Sequence, residues 1–234
     1  TGVADRLFFR AEKEREKRVR DFARSSLQSK PLKELARGVC EFLRAEFGAS
    51  AAMIFISDGR REPKLNIIFA EPGSFQLDIS EHLKESVIGF EQMPSQIITM
   101  YEIEVAGENH PLHRFLPLFI NSGVEILIPL EAMESCSGGI FIGRNAGGGA
   151  YMGQALKLIE ILAASISPAL LNACMDEHIE ESHRKYRELF ERAGDAILLV
   201  SGGGQVILET NSSAEDIFAC RRESLIGKRL SSIA

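Results

Sequence analysis

A helical pattern about 40 residues long, from Tyr151 to Arg192, constrains this chain more than any other feature. An unbroken helix of that length extends roughly 60 Å. The first half is broadly apolar, whereas the second half is mostly polar. The two halves therefore have different surroundings, and the pattern predicts a folded domain, a helical connection and a second module.

The two halves of this helix carry different apolar stripes. In the first half the apolar spacing of three and four predicts packing on a sheet. In the second half a single narrow stripe alternates steps of four and three, which is typical of a coiled-coil seam. The predicted seam residues are Met175, Ile179, Ser182, Tyr186 and Leu189. We expect this stripe to pair with a second copy in a parallel homodimer; packing on a neighbouring module of the same chain is the alternative.

The N-terminal region predicts two further helices. Residues 5–28 contain few turn residues and many charges, with a sparse apolar stripe that includes Val19 and Phe22. Pro31 suits the first turn of a new helix, and apolar residues recur at helical spacing as far as Phe47. Gly48 then ends that helix.

Strand-like segments follow the second helix. They read AAMIFIS, KLNIIFA, SQIITMYEIEV, VEILIPL and GGIFIG, with helical material predicted at residues 81–87 and 110–119. Strands joined by short turns imply an antiparallel sheet, and the interspersed helices must cover its faces. The expected class is α+β.

Composition narrows the range of partners. The 234 residues carry a formal net charge of −6, which argues against a dedicated nucleic-acid surface. The apolar stretch at residues 161–174 contains Pro168 and is shorter than the roughly 20 residues of a membrane span, so no membrane segment is expected. The four cysteines lie far apart without CxxC spacing, which favours reduced thiols and a cytoplasmic location.

The C-terminal half of the first domain resembles a GAF domain. The residues that carry the resemblance are a strand ending in Pro129 and Leu130, a hairpin into GIFIG, and Tyr151 before the long helix. Residues 30–57 resemble the opening helix and first strand of that family. The resemblance implies an antiparallel sheet flanked by helices and a ligand cavity beside it.

The C-terminal residues resemble the first half of a PAS domain. Two strands flank the glycines of SGGG, Asn211 opens a short helix, and Leu225 to Gly227 lie in the LIGK element. Ser201 stands where the family commonly has Asp. The chain begins without Met and stops at Ala234, and we expect it to be cut from a longer polypeptide.

The two resemblances together imply a region of a bacterial signal-transduction protein. The predicted organisation is an N-terminal helix at 1–30, a GAF domain at 31–174, a coiled-coil linker at 175–193 and a partial PAS domain at 194–234. The resemblance implies a sensor histidine kinase of a two-component system. Alternative hosts are activators of alternative-sigma-factor transcription and cyclic-dinucleotide enzymes, with the GAF domain as a dimerisation spacer only.

Candidate chemistry is sparse. The GAF resemblance places Tyr101, His113 and Phe115 beside the ligand cavity, with ordinary core packing as the alternative. The sequence shows no nucleotide-binding loop and no catalytic constellation, so we expect no enzymatic activity. His110 and His113 are three apart but lack further ligands in sequence, so no metal site is expected. The ligand and any cofactor stay unknown.

Overall fold

The computed structural model describes residues 2–28, 30–58, 65–72, 96–108, 110–133, 136–203 and 205–233. They divide into two compact units, residues 1–177 and 178–234. The predicted helical stretch at 81–87 and the turn after Asp58 lie outside the described residues.

Two helices open the first unit. Helix α1 spans Gly2–Ser26 and helix α2 spans Leu32–Phe47. The rings of Phe22 and Phe42 stack with their centroids 4.1 Å apart. Arg18 on α1 donates to Glu46 on α2 at 2.7 Å. The end of α1 is therefore part of the domain and not a separate rod.

A five-stranded sheet forms the centre of this unit within the described residues. Its antiparallel strands, in the spatial order β2-β1-β5-β4-β3, pair along the whole row. In chain order they span Ala52–Asp58 (β1), Leu65–Glu71 (β2), Ile98–Thr99 (β3), Val124–Met133 (β4) and Cys136–Gly143 (β5). The predicted α+β class is confirmed.

The predicted strand at residues 95–105 is wrong beyond Thr99. Helix α3 begins there and spans Met100–Ala106. The Thr99 hydroxyl accepts from the amide of Glu102, whose carboxylate accepts from the amide of Thr99 in return. This capping box satisfies free amides of the first turn and stabilises helix over strand.

Two short helices follow α3. A 3-10 helix spans Pro111–Phe115 and helix α4 spans Leu116–Ser122. The helical prediction at 110–119 therefore holds with a break at Phe115. Gly123 ends α4 in the left-handed conformation that β-carbons disfavour, and β4 starts at the next residue.

The long helix, α5, spans Gln154–Arg192 and includes Pro168. It begins three residues later than the pattern predicted, after Gly153 at a φ of +55°. Its first half packs with α2 on one face of the sheet. Glu177 accepts from the amide of Leu32 at 3.1 Å, so α5 satisfies a free amide at the start of α2.

Helix α5 is also long and apolar enough to span a membrane by length and composition. Its best 18-residue window has a mean hydropathy of 1.7, and 44% of that window is buried against the rest of the protein. Core helices of globular domains meet the same criterion. The buried residues include Leu158, Ile159, Leu162, Ile166 and Leu170.

The second unit contains a hairpin and two short helices after the end of α5. Strands β6 (Leu198–Val200) and β7 (Ile207–Thr210) pair antiparallel. Helices α6 (Ser212–Phe218) and α7 (Arg222–Leu225) follow. The segment from Gly227 to Leu230 then hydrogen-bonds to Ile207, the first residue of β7, and to Gln205 just before it.

The glycine pair in β5 allows close approach at the centre of the sheet. A β-carbon at Gly138 would lie 2.3 Å from the backbone oxygen of Phe55. Because a backbone atom cannot rotate away, the strands would have to separate. We expect Gly138→Ala to lower the free energy of unfolding by about 2 kcal/mol or more, measured by denaturant titration.

Gly38→Ala is the matched control for this prediction. Gly38 lies inside α2, and a β-carbon there meets no atom within 4 Å. Alanine should therefore raise the free energy of unfolding by about 0.5–1 kcal/mol. Equal effects of the two substitutions would contradict the close-approach explanation.

The Cys40 thiol generates a second prediction. Cys40 is fully buried on α2, and burial raises its pKa well above the ordinary value, with a smaller contribution from Glu71. The unfolded chain ionises first, from a pKa of about 8.5, so stability falls as pH rises above that value. Between pH 7.5 and 9.5 this thiol should account for a loss of about 1.4 kcal/mol in the free energy of unfolding.

Cys40→Ala should reduce that pH-dependent loss even if it lowers stability at both pH values. Cys220→Ala, at an exposed position, should leave the pH dependence unchanged. The same slope in Cys40→Ala as in the native sequence would show that this thiol does not titrate with unfolding.

Candidate functional site

An aromatic cluster covers the face of the sheet opposite α2 and α5. The rings of Phe55 and Phe141, on the paired strands β1 and β5, stack with centroids 5.0 Å apart. Phe115 on the 3-10 helix and Phe119 on α4 pack in the same cluster. All four side chains are at most 1% exposed. Phe115 is one of the residues that the GAF resemblance implies to lie beside a ligand cavity.

The three predicted ligand residues lie in different surroundings. Phe115 is fully buried in the cluster, His113 is half-buried, and Tyr101 is 62% exposed on α3. Tyr101 lies on α3 and not on the expected strand, and its side chain is at the surface. A role for any of them in ligand binding stays a prediction.

The histidine pair is explained by local structure. His110 is the N-cap of the 3-10 helix, and its Nδ1 accepts from the amide of Leu112 at 3.2 Å. Within the described part of the chain, no three His, Cys, Asp or Glu side chains group closely enough to hold a metal ion.

A polar cluster lies where β4 and β5 meet the start of α5. The Tyr151 hydroxyl donates to the oxygen of Gly143 at 3.0 Å. Burial raises the pKa of Tyr151 and also that of Glu125. Two smaller effects act in the opposite direction and lower the pKa of Glu125. They are a hydrogen bond from the backbone of Asn145 and the positive charge of Arg144. This cluster joins the sheet to the long helix.

The predicted seam divides between the two units. Met175 is partly buried against the core of the first unit. In the second unit, Ile179, Tyr186 and Leu189 are 56%, 51% and 75% exposed, and Ser182 is exposed as well. The seam beyond Met175 is thus an open apolar stripe within its own unit.

Charged residues flank the stripe on α5. Lys185 pairs with Glu181 at 2.6 Å, and Arg192 pairs with Glu188 at 3.2 Å. An open groove of about 750 Å³ runs along the helix between Ile179 and Arg192 and shares Ile179 with the stripe. Its described lining has three arginines and three glutamates. Because the two charges balance, these residues favour neither an anion nor a cation.

The end of α5 is held by residues about twenty positions further along the chain. Asn211, fully buried, donates from Nδ2 to the backbone oxygens of Phe190 at 3.0 Å and Asp195 at 2.9 Å. Its Oδ1 accepts from the amides of Ile197 at 2.9 Å and Ala214 at 3.1 Å. One side chain thereby uses four hydrogen bonds to join α5, the hairpin and α6.

Glu191 and two serines extend this attachment. The Ser212 hydroxyl donates to the backbone oxygen of Glu191 at 2.7 Å, and the Ser213 hydroxyl donates to that of Ala193. The Glu191 carboxylate accepts from the Ser212 amide and from Arg222. The hydrogen bond from Arg222 is the main cause that lowers the pKa of Glu191. We call these residues, with Asn211, the helix-end clamp.

From the sequence alone, Asn211 is predicted only to open a short helix. The sequence is enough to predict that Asn211 is an N-cap, since Asn is preferred at that position. It is not enough to predict the two hydrogen bonds that Asn211 donates, because they depend on where the tertiary structure places Phe190 and Asp195.

Solved structures similar to this chain share low sequence identity with it. The N-acylhomoserine-lactone-dependent LuxR-family transcription factor CepR2 of Burkholderia cenocepacia is 12% identical, with a TM-score of 0.48, over 69% of this chain and 95% of that one. The GAF3 domain of Slr1393 from Synechocystis sp. PCC6803 is 14% identical, with a TM-score of 0.43, over 63% and 98%.

A third similar structure is described as a domain of a two-component sensor histidine kinase protein from Sinorhizobium meliloti 1021. It is 12% identical, with a TM-score of 0.41, over 65% of this chain and 99% of that one. No curated protein matches the sequence at a significant level. The family model for the PAS domain matches residues 184–234, which confirms the PAS segment predicted from the sequence and indicates a sensory signalling region.

Proposed function

We propose that this chain is a non-enzymatic sensory and regulatory region of a bacterial signal-transduction protein. The sheet domain receives the signal, and the second half of α5 relays it to the PAS segment as part of a parallel homodimer. The observation that carries the proposal is the open apolar stripe of α5, which runs directly into the residues that match the PAS model.

The chemistry of that stripe supports self-association. Three large apolar side chains at coiled-coil spacing are at least half exposed: Ile179, Tyr186 and Leu189. Contiguous exposed apolar surface marks a site of interaction. A second copy supplies the same stripe, because a parallel two-fold pair places like positions opposite each other.

The input side of the proposal is a small molecule or partner that acts on the aromatic cluster. His113 and Phe115 are the proposed contacts from the 3-10 helix, and Tyr101 is the proposed contact at the surface. The alternative is that the domain acts only as a dimerisation spacer. The four fully packed phenylalanines of the cluster favour this alternative.

The host protein and its location are part of the same proposal. A sensor histidine kinase of a two-component system is the proposed host. An activator of alternative-sigma-factor transcription or a cyclic-dinucleotide enzyme is the alternative. A cytoplasmic location fits the free thiols of Cys40 and Cys220, since a reducing compartment keeps thiols unpaired.

The dimer is tested by changing both Ile179 and Tyr186 to Asp. Each apolar side chain contributes roughly 1.5–3 kcal/mol when it is buried, so the pair should weaken self-association by about a hundredfold or more. Sedimentation equilibrium of the native sequence should give twice the chain mass, and the variant should give the mass of a single chain.

Arg184→Asp with Arg187→Asp is the matched control. It adds the same two acids to α5 away from the stripe and also removes two positive charges, so it changes the charge of the helix more than the stripe variant does. It should nevertheless keep the dimer. A native chain that stays monomeric at high concentration, or a dimer that survives both stripe substitutions, would rule out the seam as the interface.

The input is tested by native mass spectrometry of the chain purified from bacterial cytosol. Sensing of a small molecule predicts one additional non-covalent mass per chain, and Phe115→Leu should reduce its occupancy by reshaping the cluster. If the native chain and Phe115→Leu both show only the mass of the polypeptide, the result would favour the spacer alternative. Circular dichroism of Phe115→Leu should match the native spectrum, which separates ligand loss from unfolding.

A further inference from the structure

The helix-end clamp connects the exposed stripe of α5 to the PAS segment by direct contacts. On the stripe, the ring of Tyr186 stacks on that of Phe190 with centroids 5.6 Å apart and planes 20° from parallel. Phe190 is 5% exposed, so its position is fixed by packing. Its backbone oxygen accepts from Asn211, which is the N-cap of α6. Contacts among three residues therefore connect the stripe to α6.

The clamp also solves a problem at the end of α5. The last four backbone oxygens of a helix have no intrahelical donor. Two of these oxygens, on Phe190 and Glu191, accept instead from Asn211 and Ser212 at the start of α6. The C-terminus of one helix is thus capped by side chains at the N-terminus of the next.

We infer that Asn211 is the positioning residue that transmits changes at the α5 stripe to the PAS segment. The inference rests on the proposed relay function, but its contacts all lie within one chain and do not require the dimer. Asn suits this role because its amide donates two hydrogen bonds and its oxygen accepts two others in the same plane. No charged side chain offers that combination.

Asn211→Asp separates the two halves of this role. Aspartate keeps the oxygen that accepts from Ile197 and Ala214, and it is an equally good N-cap. It cannot donate to the oxygens of Phe190 and Asp195, and it places a negative charge beside them. The bonds lost are therefore those to the end of α5 and to the segment just after it.

The experiment is a double-mutant cycle read by residue-resolved amide hydrogen exchange on the whole chain. In the native background, Tyr186→Ala should accelerate exchange at the amides of Ile197 and Ala214 at least threefold. In the Asn211→Asp background the same substitution should have less than half of that effect. The cycle measures the coupling energy between Tyr186 and Asn211, separately from the effect of each substitution on stability.

Ser213→Ala is the matched control, because it removes a neighbouring clamp bond and leaves the four bonds of Asn211 in place. The effect of Tyr186→Ala should persist in it. Phe190→Leu provides a second route if Asn211→Asp does not fold. It deletes the ring that contacts Tyr186 but keeps the backbone oxygen, and it should also abolish the effect.

Two results would overturn the inference. One is a Tyr186→Ala effect of the same size with Asn or Asp at 211. The other is the absence of any effect of Tyr186→Ala on these amides in the native background. A monomeric chain in sedimentation would refute the proposed dimer and leave this cycle readable, so the two failures are distinguishable.

Discussion

The pairing of β1 with β5 is the constraint on which the first unit depends. These central strands lie more than 70 residues apart in sequence, yet they pair from Ala52 opposite Ile142 to Asp58 opposite Cys136. Gly138 and Gly139 permit this approach, because any side chain there would meet the backbone or ring of Phe55. Alternation along the paired strands then directs side chains to two separate cores, one under the helices and one aromatic.

The two faces of the sheet differ in the helices that cover them. On one face, α2 and the first half of α5 bury a continuous aliphatic layer, which fixes the long helix to the sheet. On the other face, short helices bring Phe115 and Phe119 onto Phe55 and Phe141. Short helices lose less contact when they shift than α5 would, so the aromatic face can rearrange at a lower cost in free energy than the face covered by α5.

The second unit follows a different principle, since hydrogen bonds rather than a large core organise it. A two-stranded hairpin is marginal by itself. Asn211, Ser212 and Glu191 compensate by joining the end of α5 to the start of α6. The same bonds that stabilise this small unit also make the helix end part of it, so stability and the proposed relay share one set of contacts.

Local patterns in the sequence determined the α+β class, the extent of most helices and strands, and the PAS segment. Apolar periodicity and glycine positions are local properties, and they can be interpreted without knowledge of the fold. The capping box of Thr99 and Glu102 was equally local, but the apolar alternation before it suggested a strand and led to the wrong prediction as far as Val105. Only the tertiary structure decided that Tyr101 is exposed, that Phe115 is buried, and that Asn211 reaches the backbone of Phe190. Those outcomes depend on which distant segments meet, and residue spacing along the chain does not contain that information.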